Sequence, residues 1–167
     1  MIAWLETAPR KVLALVAGGC VAMLAFGLYL QHVVGLNPCP MCIVQRYALI
    51  GVAVLTALAA LSSRRGGWLA GALAGITLAG FGAFVAARQS WLQWHPPEVV
   101  SCGRDFYGMI ATFPLERAIP MIFRGGGDCA AVDWTFLGGS IANWSFVSFI
   151  AISVVLAALA LSQLRRR

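Results

Sequence analysis

The stretch NPCPMCIVQRYALIGVAVLTALAAL, residues 37–61, decides the fold because it joins a cysteine-containing loop directly to a long apolar run. The apolar part, 43–61, approaches the ~20 residues with which a helix crosses ~30 Å of hydrocarbon. Three more runs have the same character, at 12–34, 67–87 and 141–161. We therefore predict an all-α integral membrane protein, built as a bundle of four transmembrane helices.

The composition of the chain supports this class. Apolar residues make up 60% and charged residues 11% of the 167 positions, and the mean hydropathy is +0.84. A soluble domain carries about 25% charged residues. The first run follows basic residues, as in a signal peptide, but it is longer than the usual apolar segment and lacks an A-x-A site, so we expect a retained anchor. We expect one membrane domain, 1–167, with outer loops at 35–42 and 88–140.

The basic residues predict the orientation of the bundle. Seven of them fall on one side of the four predicted helices: Arg10, Lys11, Arg64, Arg65, Arg165, Arg166 and Arg167. The long segment on the other side has a net charge of −1 by its acidic and basic residues. The positive-inside rule then places both termini in the cytoplasm. The net charge of +6 is thus a topology signal, and no basic face with interleaved aromatics indicates nucleic-acid binding.

Four of the five cysteines are predicted on the non-cytoplasmic side. Cys39 and Cys42 lie in the first outer loop, and Cys102 and Cys129 lie in the long one, whereas Cys20 lies inside the first helix. Disulfides form and persist in such an oxidising compartment. The cysteine positions and the charge bias therefore agree on the orientation. Cys20 is expected to be a small buried residue with no redox role.

The spacing of Cys39 and Cys42 favours redox chemistry. A two-residue spacer closes almost no chain, so a structural disulfide would gain little stability there. C-x-x-C is the spacing at which one thiol attacks its neighbour's mixed disulfide. A structural disulfide remains open for Cys102 and Cys129, and a zinc site of all four thiolates remains an alternative. Haem attachment is excluded because Ile43, and not His, follows the second cysteine.

Pro40 and Arg46 point to a reactive thiol at the start of the second helix. Proline suits the first helical turn, so the helix dipole would be directed at the sulfurs. Arg46 follows Cys42 by one helical turn and would share its face. An arginine inside a membrane span indicates a functional site, although snorkelling to the headgroups is the alternative. A cation beside a thiolate favours a lipid-soluble electron acceptor.

Two stretches carry a resemblance to a known family. QHVVGLNPCPMCIVQRYALIG resembles the first outer loop and second helix of the disulfide bond formation protein B (DsbB) family. FPLERAIPMIFRGGGDCAAVDWTFLG, residues 113–138, resembles the second half of that family's long periplasmic loop. The combination of C-x-x-C-x-x-x-R with Gly-Asp-Cys is specific. With four helices, the resemblance extends over nearly the whole chain.

The resemblance implies a thiol:quinone oxidoreductase of the bacterial inner membrane. Cys102 would be attacked by a reduced periplasmic thioredoxin-like partner (DsbA-like), and Cys129 would pass the disulfide to Cys39. Cys42 would then face a quinone, ubiquinone or menaquinone, with Arg46 holding the quinone and its charge. No metal and no nucleic acid are implied.

Other features leave alternatives open. Gln89 and Ser90 stand at the end of the third helix, where some family members carry a histidine near the quinone pocket, and neither His95 nor His32 is assigned a role. The segment 114–124 places apolar residues among charges, which is typical of an amphipathic element lying on a membrane. A quinone-linked enzyme of the vitamin K epoxide reductase type, or a non-enzymatic protein with two structural disulfides, remains an alternative function.

Overall fold

The computed structural model describes residues 8–96, 114–124 and 127–165. The described residues form six helices and one small hairpin, in this order: α1 (Pro9–His32), α2 (Pro40–Leu61), α3 (Arg65–Trp94), α4 (Leu115–Arg124), α5 (Gly127–Ala130), β1 (Thr135–Phe136), β2 (Gly139–Ser140) and α6 (Ile141–Arg165). The long helices α1, α2, α3 and α6 are apolar enough to cross a membrane, with mean hydropathies from 1.8 to 2.4. The predicted four-helix membrane fold is confirmed.

The helices begin where proline permits. Pro9 and Pro40 lie in the first turns of α1 and α2. Backbone N–H groups in a first turn have no partner within the helix, so the N–H that proline lacks is not needed there. Helix α2 thus starts at Pro40, as the sequence indicates, and its apolar part begins at 43. Arg10 of α1 donates from Nε to the carbonyl of Ala60, 2.8 Å away, near the end of α2. The two helices therefore run antiparallel.

Helix α3 is longer than the predicted span of 67–87, because it continues to Trp94. The prediction ended the helix where polar residues begin, at Arg88, Gln89 and Ser90. Gln89 and Ser90 are nevertheless buried, with 4% and 7% of their surface exposed. Helix α3 packs between neighbouring helices along its length, which allows these polar residues to be buried within it. Its last turns therefore extend into the region predicted as outer loop 88–140.

Helix α3 is the centre of the bundle and packs most extensively against α6 and α2. Small residues allow this approach. A Cβ added at Gly71 would meet Ala59 of α2, and one at Gly82 would meet the ring of Phe149 of α6. Gly75 shows the same close packing, since a Cβ there would meet Leu156 of α6.

Helix α4 is amphipathic. Its residue Ile122 is buried, whereas its charged residues Glu116 and Arg117 are exposed. The Phe123 ring lies 6.3 Å from that of Phe84 on α3, measured between centroids. The apolar side of α4 therefore rests on the bundle near the beginning of α2.

The hairpin β1–β2 precedes α6 and was not predicted. Thr135 pairs with Ser140, and the turn is made by Leu137 and Gly138, both with positive φ. Two positive φ angles at the centre are typical of a tight two-residue hairpin turn. Trp144 of α6 donates from its ring N–H to the carbonyl of Phe136 at 2.9 Å, which fastens the hairpin to the helix.

Candidate active site

The beginning of α2 carries the C-x-x-C motif. Cys39 caps the helix, and its sulfur accepts the backbone N–H of Cys42 at 3.4 Å. The two Sγ atoms lie 3.1 Å apart, with the Cys39 thiol donating to Cys42. A disulfide would hold them about 2.05 Å apart. The motif is therefore a dithiol whose sulfurs already lie side by side.

Cys129, on α5, is brought to the same place by the fold. Its side chain is hydrogen-bonded to that of Cys39. Cys129 and Cys39 are both buried, with 1% and 6% of their surface exposed, among apolar residues of α2, α3 and α4. Three of the four predicted redox cysteines thus form one cluster, while Cys102 lies outside the described residues. Cys20 is fully buried in the core of the bundle, in a different apolar cluster.

The surroundings of Cys39 favour its thiol form. The hydrogen bond with Cys129 raises the pKa of Cys39 above its ordinary value, and the hydrogen bond with Cys42 and burial act in the same direction. An apolar environment stabilises a sulfur anion poorly. Cys39 therefore keeps its proton at neutral pH and can donate it to the neighbouring sulfur.

Two buried glutamines hold the dithiol, and neither was predicted from the sequence. Gln89 of α3 donates from Nε2 to both sulfurs, at 3.3 Å to Cys39 and 3.3 Å to Cys42. Gln45 of α2 donates from Nε2 to Oε1 of Gln89 at 2.7 Å. Their polarity within apolar helices could have indicated a position in the site, since polar side chains in membrane spans face the interior of a bundle.

Arg46 joins α2 to α1 beside the dithiol. Its guanidinium donates to the side-chain oxygen of Gln31 and, at 3.0 Å, to the carbonyl of Gly27. The predicted shared face is present, because Arg46 and Cys42 line the same cavity. Arg46 is half-buried inside the bundle, where it is hydrogen-bonded to protein groups.

A cavity of about 630 Å³ opens in front of the dithiol, between α1, α2, α3, α6 and the segment 131–136. Its polar end is formed by Cys39, Cys42, Gln45, Arg46 and Gln89, and most of the remaining lining is apolar. Small-molecule sites of about 300–1,000 Å³ have this character. The lining suits an apolar ligand that carries hydrogen-bond acceptors at one end.

Aromatic rings form one wall of this cavity. Trp134, after α5, meets Phe26 of α1 edge-on at 6.0 Å and stacks on Phe136 at 6.1 Å, measured between ring centroids. The segment that follows Cys129 therefore reaches α1 and covers the cavity from the side. Local sequence patterns did not indicate this contact, which joins residues far apart in the chain.

Neither His32 nor His95 lines this cavity. His32 is exposed at the end of α1, and His95 stacks on Trp91 with 4.3 Å between ring centroids. Among the described residues, no group of three or more His, Cys, Asp or Glu could hold a metal ion. The polar end of the cavity is thus made of thiols, amides and one guanidinium.

Comparisons with known proteins identify one family. The family model for disulfide bond formation protein DsbB matches residues 9–159. A disulfide bond formation protein B of Paracidovorax citrulli is 71% identical over 92% of this chain and 87% of its own. That of Polaromonas naphthalenivorans is 74% identical over 88% of each chain. That of Azoarcus sp. is 50% identical over 87% of this chain and 89% of its own.

Proposed function

Because the chain belongs to the disulfide bond formation protein B family, we propose that it oxidises a periplasmic dithiol protein and passes the electrons to a membrane quinone. It is a multi-pass protein of the bacterial inner membrane and a disulfide-forming oxidoreductase. In this proposal the partner is a thioredoxin-like oxidase of the DsbA type. The acceptor is ubiquinone or menaquinone.

One observation carries the proposal: Cys129 contacts Cys39, Cys39 contacts Cys42, and Cys42 lines a cavity. Thiol–disulfide exchange needs an attacking sulfur beside the disulfide that it opens. The hydrogen bond of Cys129 to Cys39 meets this need, and Cys42 lines the cavity on the other side. A structural disulfide would require none of these contacts.

The outer steps use Cys102 and Cys129 as a disulfide. A thiolate of the reduced partner attacks Cys102, the S–S bond breaks, and its electron pair stays on Cys129. The second partner thiol then attacks the mixed disulfide. The partner leaves oxidised, and Cys102 and Cys129 remain as thiols. Two electrons have moved from the partner into this chain.

The inner steps regenerate that disulfide. The Cys129 thiolate attacks Cys39 of an oxidised Cys39–Cys42 pair, and the electron pair of the broken bond goes to Cys42. Cys102 then attacks Cys129, which releases Cys39 as a thiol. The contact of Cys129 with Cys39 supports this order, since the attacking sulfur lies beside Cys39 and the electron pair leaves on Cys42, which lines the cavity.

The cavity residues fit a quinone. Arg46 and the amide of Gln45 provide N–H groups, which match carbonyl oxygens, and the apolar lining matches a ring and hydrocarbon tail. A bound quinone would supply a two-electron acceptor that also takes up two protons. The positive charge of Arg46 favours negative charge at this end of the cavity.

The test is a coupled oxidation assay in detergent. The purified protein receives a reduced DsbA-like partner and a soluble ubiquinone analogue, and quinone absorbance is followed. Cys42→Ser should abolish quinone reduction, because the sulfur facing the cavity is lost. Cys102→Ser should abolish oxidation of the partner but leave quinone reduction by a small dithiol.

Cys20→Ser is the matched control, since Cys20 is buried in another part of the bundle. It should retain full turnover. Quinone reduction that survives Cys42→Ser would refute the proposed route. Trapping of the partner on Cys39 in place of Cys102 would reverse the order of exchange.

A further inference from the structure

The amide of Gln89 lies directly on the reacting sulfurs. Its Nε2 donates to Cys39 Sγ and to Cys42 Sγ, each at 3.3 Å, and its Oε1 accepts the Cys42 thiol at 3.7 Å. Only 4% of the residue is exposed. A buried amide must find hydrogen-bond partners within the protein, and the partners of this N–H group are the two redox sulfurs.

Gln45 is the nearer of two donors that orient this amide through its Oε1. The two ends of a glutamine amide have nearly the same shape but opposite hydrogen-bonding character. Gln45 Nε2 donates to Gln89 Oε1 at 2.7 Å, and 6% of Gln45 is exposed. A donor on Oε1 leaves Nε2 directed at Cys39 and Cys42. Gln45 thus acts on the dithiol through Gln89.

We propose that Gln89 is a catalytic residue of the dithiol–disulfide chemistry, with Gln45 as its positioning residue. When the Cys39–Cys42 bond opens, the electron pair goes to Cys42 Sγ, and the N–H group of Gln89 stabilises the resulting anion. A donor that stabilises the reduced form makes the pair more oxidising. This inference rests on the proposed function and names a further residue of the same site.

Gln93 shows how a structural amide differs. It lies one turn after Gln89 on α3, and its Oε1 accepts the Ser140 hydroxyl at 2.6 Å. Its Nε2 lies 3.5 Å from the carbonyl of Ala131. These bonds hold the hairpin segment. Gln93 therefore provides a control of the same residue type on the same helix.

The experiment measures the reduction potential of the Cys39–Cys42 pair in the full-length chain, purified in detergent without quinone. Cys102→Ser with Cys129→Ser removes the outer pair and leaves one couple to titrate. The protein is equilibrated with glutathione buffers, alkylated, and analysed by mass spectrometry. Gln89→Leu should shift the equilibrium about tenfold towards the disulfide, which is a fall of about 30 mV.

Gln45→Glu provides a second variant of nearly unchanged volume. A carboxylate cannot donate to Oε1, so the Gln89 amide would turn its N–H group away from the sulfurs, and the potential should fall in the same direction. Added to Gln89→Leu, the change should have no further effect, since the two residues act as one unit. Gln93→Leu should leave the potential unchanged.

Two results would overturn the inference: no shift in both Gln89→Leu and Gln45→Glu, or an equal shift in Gln93→Leu. The potential is independent of the proposed quinone reaction. If the parent protein failed to reduce quinone while Gln89→Leu shifted the potential, the proposed function would be wrong and the role of Gln89 would stand. If the parent reduced quinone and neither variant shifted the potential, the function would stand and the role of Gln89 would be wrong.

Discussion

The side chain of Cys39, at the beginning of α2, is hydrogen-bonded to that of Cys129 on α5, although the two residues are far apart in sequence. Both are buried in one apolar cluster. Burial keeps water and competing thiols away from the pair. Exchange between the outer and inner cysteines is thereby directed to one pair of sulfurs.

This contact predicts a specific cross-link. In a variant with Cys42→Ser and Cys102→Ser, neither Cys39 nor Cys129 has its usual partner, and mild oxidation with oxidised glutathione should join them to each other. Proteolysis without reductant, followed by mass spectrometry, would identify the linked fragments. Cys20 is the internal control, because a fragment linked to Cys20 would contradict the described geometry.

The raised pKa of Cys39 predicts how its reactivity depends on pH. A cysteine titrates near 8.5 when exposed, so a higher value keeps Cys39 protonated at pH 8. Cys129→Ala removes the main cause of the shift, and the pKa should fall, which gives more thiolate and faster alkylation at that pH. Cys129→Ser retains a hydrogen-bonding group of similar size and should change the rate less. Mass spectrometry of timed iodoacetamide reactions measures the alkylation rate of Cys39 in each variant. Equal rates in the parent protein and in Cys129→Ala would argue against Cys129 as the cause of the raised pKa.

Arg46 is expected to serve both stability and turnover. Arg46→Ala removes the hydrogen bonds to Gln31 and to the Gly27 carbonyl, and a hydrogen bond from a charged group contributes about 1.5–3 kcal/mol. The thermal unfolding temperature in detergent should fall, and the KM for quinone should rise. Gln31→Leu removes one partner but keeps the charge, so it should lower stability with a smaller effect on KM. A normal KM in Arg46→Ala would exclude a role in quinone binding.

The small residues of α3 predict a paired test of packing. Gly82→Ala would place a Cβ against the Phe149 ring, whereas nothing lies within 4 Å of a Cβ at Gly80. Overpacking of this kind costs about 1–3 kcal/mol. Gly82→Ala should therefore lower the unfolding temperature of the detergent-solubilised protein, and Gly80→Ala should not. Equal effects would mean that the contact between α3 and α6 is looser than described.

Much of the fold followed from local features. Four apolar runs of sufficient length predicted the spans, and Pro40 marked the beginning of α2, because lipid requires helices and proline favours a first turn. The spacing of Cys39 and Cys42 identified the dithiol. The predicted end of α3 was wrong by about two turns, because burial of Gln89 and Ser90 depends on neighbours and not on their own polarity.

The sequence by itself determined the class of the protein, the dithiol and the arginine one turn after it, since each depends on residues close together in the chain. Tertiary structure alone decided that Cys129 meets Cys39, that Gln89 lies on both sulfurs with its N–H group directed by Gln45, and that Trp134 covers the cavity. These contacts join separate elements. Their partners are selected by how the helices pack and by the need of each buried polar group for a hydrogen bond.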